Sequence, residues 1–494
     1  MLACINIPLA VEIRNGVAFL NPWVGVIGVV MVSILLKHGT VVTMNARREI
    51  IKDGAVAIEG NRIVAVGKTS EIVKEYRADR EYDCKHKLVL PGFVDCHVHL
   101  AQALLRGCAD DLSLVDWLSK RVHPLQGVYT PREGELSAKL CCIEMIKSGT
   151  TCFVESSLHW KYGLDEVPRA VEQIGIRGVI SKKLMNLPGY ADFPEAIHPD
   201  MREDGETAMR QCIEMIKKWH GKANNRIHIW FGPRTPGGAT VEYYREIAEN
   251  AKRYNTGITI HLAEVRDDIR YMKNEFGMTP MQFMKHCGLV GPHVIYVHCV
   301  WMPPEDFPIL RETGGTVCHC PASNLKLASG FAPVPEMLDA GVNVALGCDG
   351  GPSNDCYDMI REMKLAAIIH KARLLDPTVM PAERVLELAT INGAKATLWG
   401  DELGSLEPGK LADVIIVNMR KSHLVPVRNP VSTLVYAANG SDVETVIIDG
   451  QVVMENRKIL TIDEEKVIEE AARVGPEVDA RRGLEIGPNW PVIE

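Results

Sequence analysis

The segment LVLPGFVDCHVHL, residues 88–100, ends an apolar run with two histidines one residue apart, His97 and His99. If Phe93 to His99 is a strand, a period of two puts both imidazoles on one face and Val98 on the other. Two imidazoles on one face can share a metal ion; a pair of packed or solvent-facing histidines is the plain alternative. Further ligand-type residues close other apolar runs. They are His261, with Glu264 three residues on, in GITIHLAE (257–264), His298 in HVIYVHC (293–299) and Asp349 in NVALGCDG (343–350). Imidazoles with a carboxylate suit one divalent ion, Zn²⁺ first and Fe²⁺ second, with a position open for water. Such an ion makes hydroxide available near neutrality. Glu264, just past its strand, is the candidate to take the water's proton and pass it to a leaving group, against the alternative of a solvated loop acid. Asp349 can both bind metal and accept a proton, and His298 can polarise the atom under attack.

These residues need a frame that brings distant strand ends together. Besides the four runs just named, GTTCFVES (149–156), RGVISKKLM (177–185), RIHIWFGP (226–233) and GGTVCHCP (314–321) read as strands, and helical stretches separate most of them. In TPREGELSAKLCCIEMIKSG, Thr130 can cap a helix, Pro131 suits its first turn and Glu133 completes a capping box. Leu136, Leu140 and Ile143 make its buried stripe and Gly149 stops it. Eight strand–helix units over about 300 residues point to an α/β fold, a (β/α)₈ TIM barrel whose active residues lie at the C-terminal strand ends. An open doubly wound sheet is the alternative, without a GxGxxG turn to support it.

The two ends of the chain have another texture. SILLKHGTVVTM and GAVAIEGNRIVAVG near the start, and GKLADVIIVN and VETVIIDGQVVMENRKIL near the end, are hairpin signals. The expected organisation is an N-terminal extension (1–31), the first part of a small β-sandwich (32–89), the barrel (90–404), the second part of the sandwich (405–465) and a C-terminal tail (466–494). MVSILLKHGTVVTM is expected to form a strand, a turn and a second strand. AFLNPWVGVIGVVMVSILL (18–36) is long enough for a membrane span, but Asn21-Pro22, two glycines and the missing basic cluster weigh against one. A signal peptide lacks a small-residue cleavage site.

The chain has 494 residues, 46% of them hydrophobic and 24% charged, and a net charge of −8 with both signs interspersed. That gives a nucleic-acid partner no electrostatic support. Its 14 cysteines form no CxxC pair, which favours reduced thiols in the cytoplasm. Cys318-His319-Cys320 reads as buried strand, since the partners that a zinc knuckle needs are not nearby.

The motifs PGFVDCHVHL, HLAE, VHC, PASNLKL, GCDGGPSND and LGSLEPGKLADVIIVN resemble those of the amidohydrolase superfamily. The likeness is greatest to the branch containing S-adenosylhomocysteine/methylthioadenosine deaminases and triazine chlorohydrolases. It covers roughly 32–465. The resemblance implies a barrel with a β-sandwich built from both termini, one divalent metal, and a homodimer or higher homo-oligomer. By position it places metal ligands on His97, His99, His261 and Asp349, the proton-transfer glutamate on Glu264 and the substrate-polarising histidine on His298.

LRGCADDLSLVDWLSKRVHPLQ (105–126) is similar to the family's segment over the active site. Trp117 falls where the deaminases set a tryptophan against the substrate, with simple helix packing as its alternative. Gln126 stands where adenosine-type deaminases carry a glutamate for ribose hydroxyls, and it lacks a carboxylate's charge-assisted strength. Arg234 stands where they often carry histidine, and as a permanent cation it suits a carboxylate or carbonyl oxygen; a surface arginine is its alternative. The expected activity is deamination of a small N-heterocycle: a purine nucleoside-like compound, purine, pterin or triazine. A chlorohydrolase or N-dealkylating hydrolase uses the same attack with another leaving group. A non-catalytic scaffold of the same fold is the other class, and it would be expected to have lost ligands that this chain keeps.

Overall fold

The computed structural model describes residues 11–14, 17–20, 29–193, 196–488 and 490–493. Most of the expected N-terminal extension therefore lies outside the described residues. Within it, Val11–Arg14 pairs antiparallel with Val17–Leu20.

The central sheet holds β1 (Phe93–His99), β2 (Thr150–Leu158), β3 (Arg177–Leu184), β4 (Ile227–Pro233), β5 (Ile258–Leu262), β6 (Val294–His298), β7 (Thr316–His319), β8 (Asn343–Leu346) and the two-residue β9 (Asp349–Gly350). Neighbours pair in parallel and in chain order from β1 to β8. β9 continues from β8 and pairs with β1, Asp349 opposite Val98, so the sheet closes on itself. This is the barrel that the strand–helix alternation predicts. Both faces of these strands are covered, which is why β1, β2 and β5 are buried at every position.

Helix α1 (Pro131–Lys147) follows its sequence signals. The Glu133 carboxylate accepts from the backbone N–H of Thr130 at 2.8 Å and also from its hydroxyl. Leu136 and Ile143 are buried and Leu140 is half-buried. Gly134 lies so close to the backbone of Tyr162 that a side chain there would collide with it.

Strands from both ends of the chain share a second sheet. Lys87–Pro91 pairs antiparallel with Val414–Asn418 and parallel with Val30–Val42, which in turn pairs with Ile50–Glu59. Val30–Val42 is one continuous strand, not the expected strand, turn and strand. His38 adopts φ of 65° and the register shifts on either side of Gly39, so a bulge absorbs what reads as a turn. A buried fork joins this sheet to the barrel floor: Arg177 donates from Nε and Nη2 to the two carboxylate oxygens of Asp413, each at 3.1 Å.

Residues expected as a C-terminal tail are largely helical. α2 (Glu464–Arg482) buries Val467, Ala471, Val474 and Val478 along one face, and Arg481 meets Glu133 at 2.9 Å. Its stripe is four small residues among many charges, too weak a pattern to stand out in sequence. Among the described residues, no helix is long and apolar enough to cross a membrane.

Candidate active site

The ends of β1, β5, β6 and β9 converge at one mouth of the barrel. β1 delivers His97 and His99 on the same face, their ring centroids 4.9 Å apart. His261, on β5, lies 4.9 Å from His97 and stacks on His99 at 5.5 Å. Ring nitrogens of these three come within 4.8 Å of one another, as do ligand atoms of His97, His298 and Asp349. Asp349 reaches His97 Nε2 at 3.2 Å and His99 Nε2 at 3.4 Å. All are buried.

The backbone turns sharply to make this possible. Ala263, His298 and Asp349 have φ of 53°, 72° and 68°, the left-handed region that side chains other than glycine seldom enter. Strained backbone of this kind gathers where side chains must be aimed. The surroundings fix the aim. Arg234 O accepts from His261 Nδ1 at 2.9 Å, which leaves Nε2 as the nitrogen with a free lone pair. His298 Nδ1 meets the side-chain oxygen of Asn324 at 3.0 Å, and Ser323 donates to Asp349 at 2.6 Å. Asp95 accepts from the backbone N–H of Cys348 at 3.0 Å and of His97 at 3.3 Å, tying β1 to the segment between β8 and β9.

The donor set fits a divalent ion. Burial holds His97 below the ordinary histidine range and His99 and His261 well below it, so their lone pairs are available. Neither ring nitrogen of His97 makes a well-aligned hydrogen bond, although Asp349 is 3.2 Å away, so both nitrogens and the carboxylate remain available to an ion. Burial works against ionisation of Asp349, yet the surrounding imidazoles of His97, His298 and His99 hold its carboxyl well below the usual range.

Glu264 stands beside this cluster, its carboxylate 3.6 Å from His298 Nε2. It is only 3% exposed, which excludes a solvated loop acid. Burial raises its pKa. Its backbone N–H donates to Asp268 at 2.8 Å, at the start of the helix Arg266–Phe276. Burial would lower the pKa of His298, but the Glu264 carboxylate and the neighbouring Cys320 push it up to about 10.

A cavity continues from His99 toward β2, β3 and β4, lined by Gln102, His123, Gln126, Glu155, Lys183 and Arg234. Gln126 and Arg234 thus join the site, and Arg234 is buried, not a surface residue. Trp117 is not among the cavity's lining residues; it is buried in packing and its indole N–H donates to Pro352 O at 3.2 Å. Sequence reasoning passed over Lys183, Glu155, Gln102 and His123. Lys183 had a signal, since two lysines closing the apolar run RGVIS are out of place on a buried strand. Cys318, His319 and Cys320 are buried as expected, with the two sulfurs 4.0 Å apart and unbonded.

Comparison with known proteins adds to this geometry. The profile of the Amidohydrolase family matches residues 88–453, and a bacterial imidazolonepropionase-like composite domain matches residues 54–78. The chain is 40% identical over 452 residues to a 5'-deoxyadenosine deaminase of Methanosarcina mazei, covering 91% of this chain and 99% of that one. It is 41% identical over 435 residues to a 5-methylthioadenosine/S-adenosylhomocysteine deaminase of Acetivibrio thermocellus, covering 88% and 97%. Among solved structures, an adenosine deaminase from Xanthomonas campestris with bound zinc superposes with a TM-score of 0.86 at 28% identity, covering 92% of this chain and all of that one. The zinc complex of atrazine chlorohydrolase from Arthrobacter aurescens gives 0.81 at 25% identity, covering 90% and 100%. With three quarters of its length matched by the family profile and relatives at 40% identity along nearly their whole chains, the protein belongs to the amidohydrolase family, a family of metal-dependent hydrolases.

Proposed function

We propose that the protein is a metal-dependent aminohydrolase that releases ammonia from an N-heterocyclic amine, with adenosine-like nucleosides as the first substrate class to test. The observation that carries this reading is the convergence of His97, His99, His261 and Asp349, with Glu264 and His298 beside them, at one mouth of a closed barrel. The names of the M. mazei and A. thermocellus relatives support it.

In this reading the three neutral imidazoles and the Asp349 carboxylate hold one divalent ion, Zn²⁺ before Fe²⁺. When bound, the ion acts as a Lewis acid and makes hydroxide available from water near neutrality. Glu264 receives the proton lost by the attacking water at its carboxylate and delivers it to the departing amine. His298, held by Asn324 at Nδ1, polarises the ring carbon under attack by donating from Nε2 to the electronegative atom that develops charge there. Asp349 serves a second time as proton acceptor. Gln126 and Arg234 contact the substrate, and Trp117 acts indirectly by supporting the loop after Asp349 through Pro352. The described cysteines are all free thiols, which suits the cytoplasmic location that we propose.

The test is an ammonia-release screen of zinc-loaded protein over adenosine derivatives, guanine-like bases, pterins and triazines. Release from at least one of them, abolished by chelation and restored by zinc, is expected. Zinc-loaded protein inert toward the whole set would sink the proposal.

A further inference from the structure

Lys182 and Lys183 are neighbours on β3, and their side chains have opposite fates. Lys182 Nζ donates to both carboxylate oxygens of Glu203, at 2.9 and 2.8 Å. Lys183 Nζ donates to a single backbone carbonyl, that of Met201 at 3.0 Å. Among the described residues, no carboxylate comes within 4 Å of it. Arg234, across the same cavity, also has no carboxylate within 4 Å among the described residues, although the charges of Glu264 and Asp349 act on it from farther off; its Nη1 reaches Ser157 Oγ at 3.3 Å and its Nε has no partner. Elsewhere in the barrel a fully buried arginine is neutralised, as Arg177 is by Asp413. The one acid lining the cavity, Glu155, is committed to the backbone N–H groups of Leu100 and Ser157.

A buried cation is costly unless an opposite charge meets it, and two in one cavity repel. Burial and the nearby Arg234 push the Lys183 ammonium down to about 7. Other unpartnered polar atoms belong to the same lining: Gln102 Oε1 and His123 Nδ1. The cavity is a buried, cationic, polar recess that begins at His99.

Resting on the aminohydrolase reading above, we infer that Lys183 and Arg234 form a subsite for an anionic or lactam oxygen of the substrate. The compound deaminated is then an N-heterocycle that carries such an oxygen as well as its amine. The Arg234 guanidinium lines the same cavity as His99 and acts on the charges of Glu264 and Asp349, which puts it near the reaction centre. That place favours an oxygen on the ring itself over a carboxylate on a side chain. Arginine's fork and lysine's rotatable ammonium together can meet both lone pairs of one oxygen.

Zinc-loaded Glu264→Gln protein, in which turnover is expected to be slowed by ~10²–10⁴, is titrated by calorimetry with two matched pairs. Guanine and 2-aminopurine differ by a ring oxygen; adenosine-5'-carboxylate and adenosine differ by a carboxylate. The oxygen-bearing member of one pair is expected to bind about 10- to 100-fold more tightly than its partner, the range of a hydrogen bond to a buried charge. Lys183→Met and Arg234→Gln, each in the same background, are both expected to erase most of that preference. Equal affinities within both pairs, no binding by any of the four, or a preference that survives either substitution overturns the inference. Ammonia released by wild-type protein from the oxygen-free members alone would leave the aminohydrolase reading intact and remove the subsite. Selective binding with no ammonia from any compound would do the reverse.

Discussion

On the β1, β5, β6 and β9 side of the site, Asp349 and Glu264 each stand within 4.0 Å of an imidazole. On the β3 and β4 side, Lys183 and Arg234 have only neutral hydrogen-bond partners, with carboxylates acting on them from beyond 4 Å. Both sides are buried in the same barrel, so burial does not explain the contrast. The first side balances its own charges and is shaped for an ion. The second is left unbalanced, and unbalanced charge persists inside a protein where function requires it and the surrounding fold can bear the destabilisation.

The comparison breaks most severely on the ion's side. His261→Ala removes a ligand-type imidazole and is expected to lose bound zinc and turnover together, down to background, in metal analysis and ammonia assays on one preparation. Glu264→Gln comes next. Turnover should fall by ~10²–10⁴, the usual contribution of a positioned acid–base group, while zinc content stays at the wild-type level. Loss of zinc in step with activity would make Glu264 a ligand and not a proton carrier.

The two lysines of β3 separate by stability. Lys182→Met strands the buried Glu203 carboxylate and is expected to cost about 3–5 kcal/mol in denaturant unfolding. Lys183→Met strands no charge, only the neutral Met201 carbonyl, and should raise Tm. The sign with pH follows from a folded-state value of about 7 against the ordinary 10.5. Between those values the unfolded chain binds more protons than the folded one, so wild-type stability climbs with pH through that window. The gain from Lys183→Met is therefore largest at and below about pH 7 and fades toward about pH 10.5. A gain that is the same at both ends would mean that Lys183 is not a buried cation. The smallest effect belongs to an exposed pair: Arg132→Gln, which releases Glu470 across the α1–α2 contact, should change stability by less than about 1 kcal/mol.

The balanced side was legible in the sequence because its residues lie at or within three positions of the end of an apolar strand, and a barrel turns strand ends into neighbours. The capping of α1 was legible for a similar reason: Thr130, Pro131 and Glu133 act within one turn. The unbalanced side was not. Lys182 and Lys183 look alike in sequence, and what distinguishes them is Glu203, some twenty positions away, which bonds the first directly and acts on the second only from a distance. The partner of Trp117 was hidden in the same way, since only the fold brings the Pro352 carbonyl to its indole N–H. Val30–Val42 hid its continuity behind a bulge at His38, where a local turn pattern gives way to pairing on both sides.

The short strand β9 has a temporal consequence. Asp349 lies roughly 250 positions after His97, yet its pairing with β1 is what shuts the barrel. A ribosome-bound chain that has emerged only as far as β7 therefore has all four imidazoles of the site and Glu264 but not the Asp349 carboxylate. Closing so long a loop is an entropic debt that is settled late, when the last barrel strand arrives. Metal capture and ring closure then become one event, and a nascent or truncated chain ending before residue 349 is left with an open seam and a weak grip on any ion.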